Sequence, residues 1–132
     1  MSDDLILIVE DNEKNRKLVR DVLAYKGFRT MESESAEEGV RLARAHRPAL
    51  ILMDIQLPGM NGIDALRSLR ADPQTRDIPV IAVTASAMNH DRQKIMAAGF
   101  DGYQHKPLNI REFLEAVERI VGKGAGRGEE VR

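Results

Sequence analysis

Three carboxylates, a hydroxyl and an ammonium stand at equivalent places in this chain, each directly after a short run of strand-like residues. Leu5 to Val9 leads into Glu10 and Asp11, Leu50 to Met53 into Asp54, Val80 to Val83 into Thr84, and Tyr103 to His105 into Lys106. If these runs are parallel strands, their carboxyl ends meet at one edge of a sheet, where open α/β folds bind ligands. Three acids gathered there would repel one another and raise one another's pKa unless a cation stood between them. An all-oxygen donor set favours a hard divalent ion, and Mg2+ takes one or two carboxylates plus a phosphate oxygen while keeping several waters. The chemistry indicated is phosphate handling on a metal, with Lys106 as a positive charge and Thr84 as a hydroxyl donor.

The elements that must position these groups follow from the hydrophobic pattern. Short β-branched or Leu-rich runs alternate five times with longer amphipathic stretches, the pattern of βαβ units and a parallel sheet covered on both faces. Phe28 to Glu32 and Gly102 to His105 complete the five strands. The spacing predicts helices from Glu13 to about Lys26, stopped by Gly27, and from Ser35, with Glu38 at capping-box distance, to before Pro48. Further helices are predicted from Ile63 to Arg70, from Asn89 to Ala98 with Gly99 as the stop, and from an Asn109 cap to Val121. The link Leu57-Pro58-Gly59-Met60-Asn61-Gly62 is dense in turn residues, and its two glycines read as loop glycines.

Composition narrows the function classes. A chain of 132 residues with 42% hydrophobic content suits one domain with one core. Acids and bases nearly balance at a net charge of -1, so there is no basic field for nucleic acid and no polybasic membrane patch. With zero cysteines, disulfides, thiolate zinc sites and thiol catalysis are excluded. His46, His90 and His105 lack a helical i, i+4 partner for zinc, and Met53, Met60, Met88 and Met96 read as gap fillers near the core. No GxxxxGK[ST] or GxGxxG follows a strand. No run nears the ~20 apolar residues of a membrane span, and no basic then apolar leader opens the chain. The expectation is a cytoplasmic protein with one folded domain over residues 1–121 and a disordered glycine-rich tail over 122–132.

Val9-Glu10-Asp11-Asn12, Leu52-Met53-Asp54-Ile55-Gln56-Leu57-Pro58, Val83-Thr84-Ala85 and Lys106-Pro107 together resemble the receiver domains of bacterial two-component response regulators. Each motif is weak alone, but four in the right order at strand ends are highly specific. The resemblance implies a flavodoxin-like (βα)5 fold of three layers, doubly wound, with strand order 2-1-3-4-5. It implies that Asp54 accepts a phosphoryl group from a phosphohistidine on a sensor histidine kinase or a histidine phosphotransfer protein. Asp11 would bind Mg2+ directly and Glu10 through water, with Asp54 and the main-chain carbonyl of Gln56 completing the set. Lys106 and Thr84 would take phosphate oxygens, and the small Ala85 would leave backbone space beside them. A cis bond at Lys106-Pro107 is implied as well.

The same resemblance makes Tyr103 a switch residue that follows the movement of Thr84. It places the output face on the fourth helix, fifth strand and fifth helix, near Met88, Arg92, Ile95, Tyr103 and Glu112. Kinase docking falls to Asn15 and Arg16 of the first helix. Since few residues follow Val121, output is expected through a protein partner, with neither nucleic acid nor membrane contacted directly.

Two other classes compete with this reading. A haloacid-dehalogenase-type phosphohydrolase also uses an aspartyl phosphate, but it needs a second acid two residues on, where this chain has Gln56. The expectation is therefore a phosphoacceptor with self-catalysed phosphorylation and dephosphorylation only, rather than an enzyme. A phosphorylation-independent adaptor would lack part of the acid, threonine and lysine set, which is complete here. Gln56 and Ser86 stand two residues after Asp54 and Thr84, where phosphoryl lifetime is tuned in the family. Ser86 is small and leaves the approach of a hydrolytic water open. Self-dephosphorylation should be measurable and should slow in Ser86→Phe; an unchanged half-life for loss of labelled phosphate would count against this.

Overall fold

The computed structural model describes residues 4–57, 59–85 and 89–122. The chain alternates β1 (Leu5–Val9), α1 (Glu13–Tyr25), β2 (Arg29–Ser33), α2 (Ala36–His46), β3 (Leu50–Asp54), α3 (Gly62–Ala71), β4 (Val80–Thr84), α4 (Asn89–Ala97), β5 (Gly102–His105) and α5 (Ile110–Val117). A π-helical turn over Glu118–Gly122 extends α5, where the pattern predicts a regular helix to Val121. All strand pairs are parallel and the order is β2-β1-β3-β4-β5, as expected for the flavodoxin-like topology. The tail beyond Gly122 lies outside the described residues.

Alternation along the central strands builds two apolar layers, because successive side chains point to opposite faces. Leu7, Val9, Ile51, Met53, Val80 and Ala82 pack with Val40 and Ala43 of α2, Leu66 and Leu69 of α3 and Ile95 of α4. Ile6, Ile8, Leu50, Leu52 and Ile81 pack with Val19 and Leu23 of α1 and Phe113 and Val117 of α5. A fully buried aliphatic side chain contributes ~1.5–3 kcal/mol, against ~0.2–1 kcal/mol for an exposed ion pair, so these layers hold the sheet together. Among the methionines expected near the core, Met53 is fully buried, Met60 is partly buried and Met96 is exposed. Among the described residues no helix is long and apolar enough to cross a membrane.

Three strands have bounds that differ from the sequence reading in a way that matters. Asp54 and Thr84 are the last rungs of β3 and β4, paired with Val83 and His105 respectively, rather than residues beyond the strands. β2 is shifted by one residue, ending on Ser33, whose carbonyl accepts the Glu10 N–H at 3.0 Å.

Helix starts are fixed by side-chain caps on orphan N–H groups. Asn12, Ser35, Asn61 and Asn109 accept from the N–H three residues on, at 3.0, 3.2, 2.9 and 3.0 Å. The capping box predicted at Ser35 is half made: the Glu38 carboxylate turns instead to the Ser33 hydroxyl, 3.3 Å away. At the amino edge of the sheet, the Arg70 guanidinium donates to the Ile78 carbonyl at 2.7 Å and pairs with Asp101 at 2.8 Å. Asp101 also accepts the Val80 N–H at 2.8 Å, so α3, β4 and the entry to β5 are tied at one point.

Gly62 is the first residue of α3 rather than a loop glycine. A Cβ there would lie 2.7 Å from the Asp54 carbonyl oxygen and 2.9 Å from the Ile55 Cα, closer than side chains pack. The bare backbone lets α3 begin directly beneath the strand end that carries Asp54. Gly62→Ala should therefore lower folding stability by ~1–3 kcal/mol, the usual cost of overpacking, read from the urea midpoint. Identical midpoints for the two proteins would show that the loop yields without cost.

Candidate functional site

The carboxyl edge is assembled from backbone upward. β1 delivers Glu10 into a buried position, where its Oε2 accepts the Asn12 N–H at 3.1 Å and its carbonyl accepts from Arg16 Nη1 at 2.9 Å. Arg16 Nε also pairs with Glu32 Oε1 at 3.2 Å, and only 12% of the Arg16 side chain is exposed. The residue expected to dock a kinase thus braces α1 against the ends of β1 and β2. Asn15 sits beside it, half-buried on the wall of a cavity.

β3 ends on Asp54, buried at 3% exposure, whose Oδ1 accepts the Gln56 N–H at 3.0 Å. Lys106 follows β5, and its own N–H donates to the Thr84 carbonyl at 2.7 Å, before a cis bond to Pro107. This places the Lys106 Nζ 3.1 Å from Asp54 Oδ2 and 2.9 Å from Glu10 Oε1. Asp11 is exposed, yet Glu10, Asp11 and Asp54 each offer an oxygen within 4.8 Å of the others.

Burial is the largest influence on Asp54 and raises its pKa; the neighbouring Glu10 charge pushes the same way. The Gln56 N–H and the Lys106 ammonium oppose them, and the balance leaves Asp54 raised to about 6. Burial disfavours the Lys106 charge, but its hydrogen bonds to Glu10 and Asp54 outweigh that and hold the ammonium above its ordinary pKa. One ammonium cannot neutralise three carboxylates, and the remaining negative charge, presented entirely by oxygen donors, fits a hard divalent cation such as Mg2+.

Thr84 is buried at the end of β4, one residue before the exposed Ala85. The Ala85 N–H donates to Gln56 Oε1 at 3.1 Å, a link between two loops that the sequence does not announce. Tyr103 is partly buried against the core, with the Arg92 guanidinium 5.5 Å from its ring centroid, within cation–π range. Ile95, expected near the output surface, is buried in the core at 2% exposure because α4 turns it toward the sheet. Glu112 is exposed in the first turn of α5. Ser86 and Met88 lie outside the described residues.

Among the described residues, two cavities lie along this edge. One, of about 370 Å3, runs from Glu10, Asp54 and Lys106 between α1 and α5, past Leu18, Leu108 and Phe113. The other, of about 230 Å3, lies toward α3 and α4 and is lined by Gln56, Asn61, Thr84 and Lys94 among others.

A parallel sheet ordered in this way, with acids, threonine and lysine gathered at its carboxyl edge, is built as a response-regulator receiver. The chain belongs to that family: residues 6–118 match the response regulator receiver domain. It is 44% identical over 117 residues to the polar-differentiation response regulator DivK of Brucella anthropi, spanning 89% of this chain and 95% of that protein. The receiver domain of sensor histidine kinase PA1611 from Pseudomonas aeruginosa PAO1, solved with a magnesium ion coordinated in its active-site cleft, is 35% identical. Its TM-score is 0.84, with 92% of this chain and 99% of that one covered. Chemotaxis protein CheY4 of Vibrio cholerae has a TM-score of 0.83 at 24% identity, covering 90% of this chain and 99% of that one, a likeness of fold alone.

The raised Asp54 pKa has a signed consequence for the metal-free protein. An acid whose folded pKa lies above its unfolded value favours folding at low pH, and that contribution is lost as pH rises from about 3.8 through about 6. Asp54→Asn removes the buried charge, so without metal it should unfold at higher urea than wild type at about pH 7.5, with the gap narrowing by about pH 4.5. A gap that fails to shrink on acidification would refute this origin.

Proposed function

We propose that this receiver is a phosphorylation-activated switch of a two-component or phosphorelay system, with Asp54 as the phosphoacceptor. The observation that carries the reading is the buried Asp54 carboxylate, held 3.1 Å from Lys106 inside an acid cluster suited to a divalent ion. Glu10, Asp11, Asp54 and the main-chain carbonyl of Gln56 are the residues that would hold Mg2+. When bound, the ion neutralises charge on the transferred group and keeps Asp54 ionised.

In the transfer, an Asp54 oxygen attacks the phosphorus of a phosphohistidine on a histidine kinase or phosphotransfer protein. The O–P bond forms as the P–N bond breaks, and the electron pair returns to the departing imidazole. The protein's task is positioning and electrostatic stabilisation, because charge spreads over the phosphoryl oxygens. Lys106 moves its ammonium from the Asp54 carboxylate to one such oxygen, and the Thr84 hydroxyl meets another. Gln56 at the place of a second acid leaves no general acid for turnover on free substrates, so the chain is a phosphoacceptor with self-catalysed loss of the group and not an enzyme.

An acyl phosphate adds about -1.5 to -2 charges and three acceptor oxygens beside Thr84. Output passes through protein contacts on the face of α4, β5 and α5, where the stacked Arg92 and Tyr103 register the change. A coupling of ~1–3 kcal/mol changes partner affinity about 5- to 150-fold, which suffices for signalling. The likeness to polar-differentiation response regulators supports a regulatory output. A receiver used only as a phosphorylation-independent adaptor would have no need of the buried Glu10, Asp54 and Lys106 arrangement.

The test is to incubate wild type and Asp54→Asn with acetyl phosphate, with Mg2+ or with a chelator, and to weigh the intact protein. Wild type with Mg2+ should gain one phosphoryl group, while the other three samples should not. A gain that survives Asp54→Asn, or that ignores Mg2+, would overturn the assignment.

A further inference from the structure

Every polar group of Glu10 is engaged. Its N–H donates to the Ser33 carbonyl at 3.0 Å, its Oε2 accepts the Asn12 N–H at 3.1 Å, and its Oε1 meets Lys106 Nζ at 2.9 Å. The remaining group is the main-chain carbonyl, which accepts from Arg16 Nη1 at 2.9 Å. That carbonyl belongs to the peptide joining Glu10 to Asp11. The unit is planar, so whatever fixes the carbonyl also fixes the nitrogen and Cα of Asp11. The Asp11 side chain is exposed and, among the described residues, no hydrogen bond or ion pair holds its carboxylate, so its direction is set through that backbone.

Arg16 is itself held. Its Nε pairs with Glu32 Oε1 at 3.2 Å and its Nη2 lies 3.7 Å from Glu34 Oε2, while the other Glu32 oxygen is taken by Arg20 Nη1 at 2.8 Å. With 12% of its side chain exposed, the guanidinium is a planar fork fixed between the end of β2 and the turn after β1. We propose that Arg16 is a positioning residue for the divalent-ion site, orienting the Glu10–Asp11 peptide so that the Asp11 carboxylate reaches the oxygens of Glu10 and Asp54. This rests on the reading of the three acids as a Mg2+ site and gives Arg16 a task that needs no kinase.

Charge and positioning predict opposite signs here. A guanidinium close to a cation site opposes the cation, so on charge alone its removal strengthens Mg2+ binding. If the guanidinium orients the ligand peptide, its removal weakens binding, and groups that orient metal ligands typically contribute about 10- to 100-fold in affinity.

The experiment titrates wild type, Arg16→Lys, Arg16→Met and Arg20→Met with Mg2+ alone, followed by amide NMR, after circular dichroism has established that each is folded. Lysine keeps the charge without the planar fork, and methionine removes both. Both Arg16 variants should bind Mg2+ about 10- to 100-fold more weakly than wild type, and the Asp11 amide signal should already be displaced before metal is added. Arg20 pairs with the same Glu32 but donates nothing to the Glu10 carbonyl, so Arg20→Met should stay within about 2-fold of wild type. If Arg16→Met does not fold, Arg16→Lys carries the test. Tighter binding by Arg16→Met, or wild-type affinity in Arg16→Lys, would make charge the cause and overturn the proposal. So would a loss in Arg20→Met as large as that in the Arg16 variants. Failure of wild type itself to bind Mg2+ would overturn the metal-site reading instead.

Discussion

The Lys106 ammonium lies between two buried carboxylates, 2.9 Å from Glu10 and 3.1 Å from Asp54, and the carboxyl edge depends on that sharing. Without it, two like charges would be held out of water with nothing between them, and breaking a buried ion pair from one side costs ~3–5 kcal/mol. The lysine is supplied by β5, an edge strand of four residues, while the acids come from the interior strands β1 and β3. An edge strand therefore sets the charge balance of two buried acids. The bond from the Lys106 N–H to the Thr84 carbonyl makes this dependable, because it ties the first residue beyond β5 to the last rung of β4.

The strands that could be read most directly were β1, β3 and β4, since burial on both faces requires nearly continuous apolar runs. β2 is an edge strand, Arg-Thr-Met-Glu-Ser, with only its last residue buried, and its boundary was off by one. Asp54 and Thr84 looked like residues beyond their strands because polarity usually marks a strand end; here the polar residue is the last buried rung. The acids, threonine and lysine were legible as a set because strand ends converge by topology. Arg16 and Gln56 were not legible in their observed contacts, since their partners include the Glu10 carbonyl and the Ala85 N–H. Backbone groups are the same at every residue and leave no mark in a sequence. Gly62 shows the same blindness, because its close approach is to main-chain atoms of Asp54 and Ile55.

The walls on the two sides of Asp54 differ in kind. Toward α1 and α5 the cavity is faced by Leu18, Leu108 and Phe113, and toward α3 and α4 by Gln56, Asn61 and Lys94. A charge added at Asp54 would have a mainly apolar cavity on one flank and, on the other, one where Gln56, Asn61 and Lys94 stand among isoleucines. Low polarity on the first flank strengthens every electrostatic contact at the site, while the second flank can rearrange its hydrogen bonds in response.

The tie of Arg70 and Asp101 at the amino edge has a practical side. It closes the start of β4 with bonds between fixed partners, at the end of the strand opposite Thr84. The sheet thus has one margin that carries the charge cluster and a passive one, separated by the length of a five-residue strand. For anyone attaching a fluorophore, a surface tether or a fused protein, the loops of the passive margin offer places where a label would leave the charge cluster undisturbed.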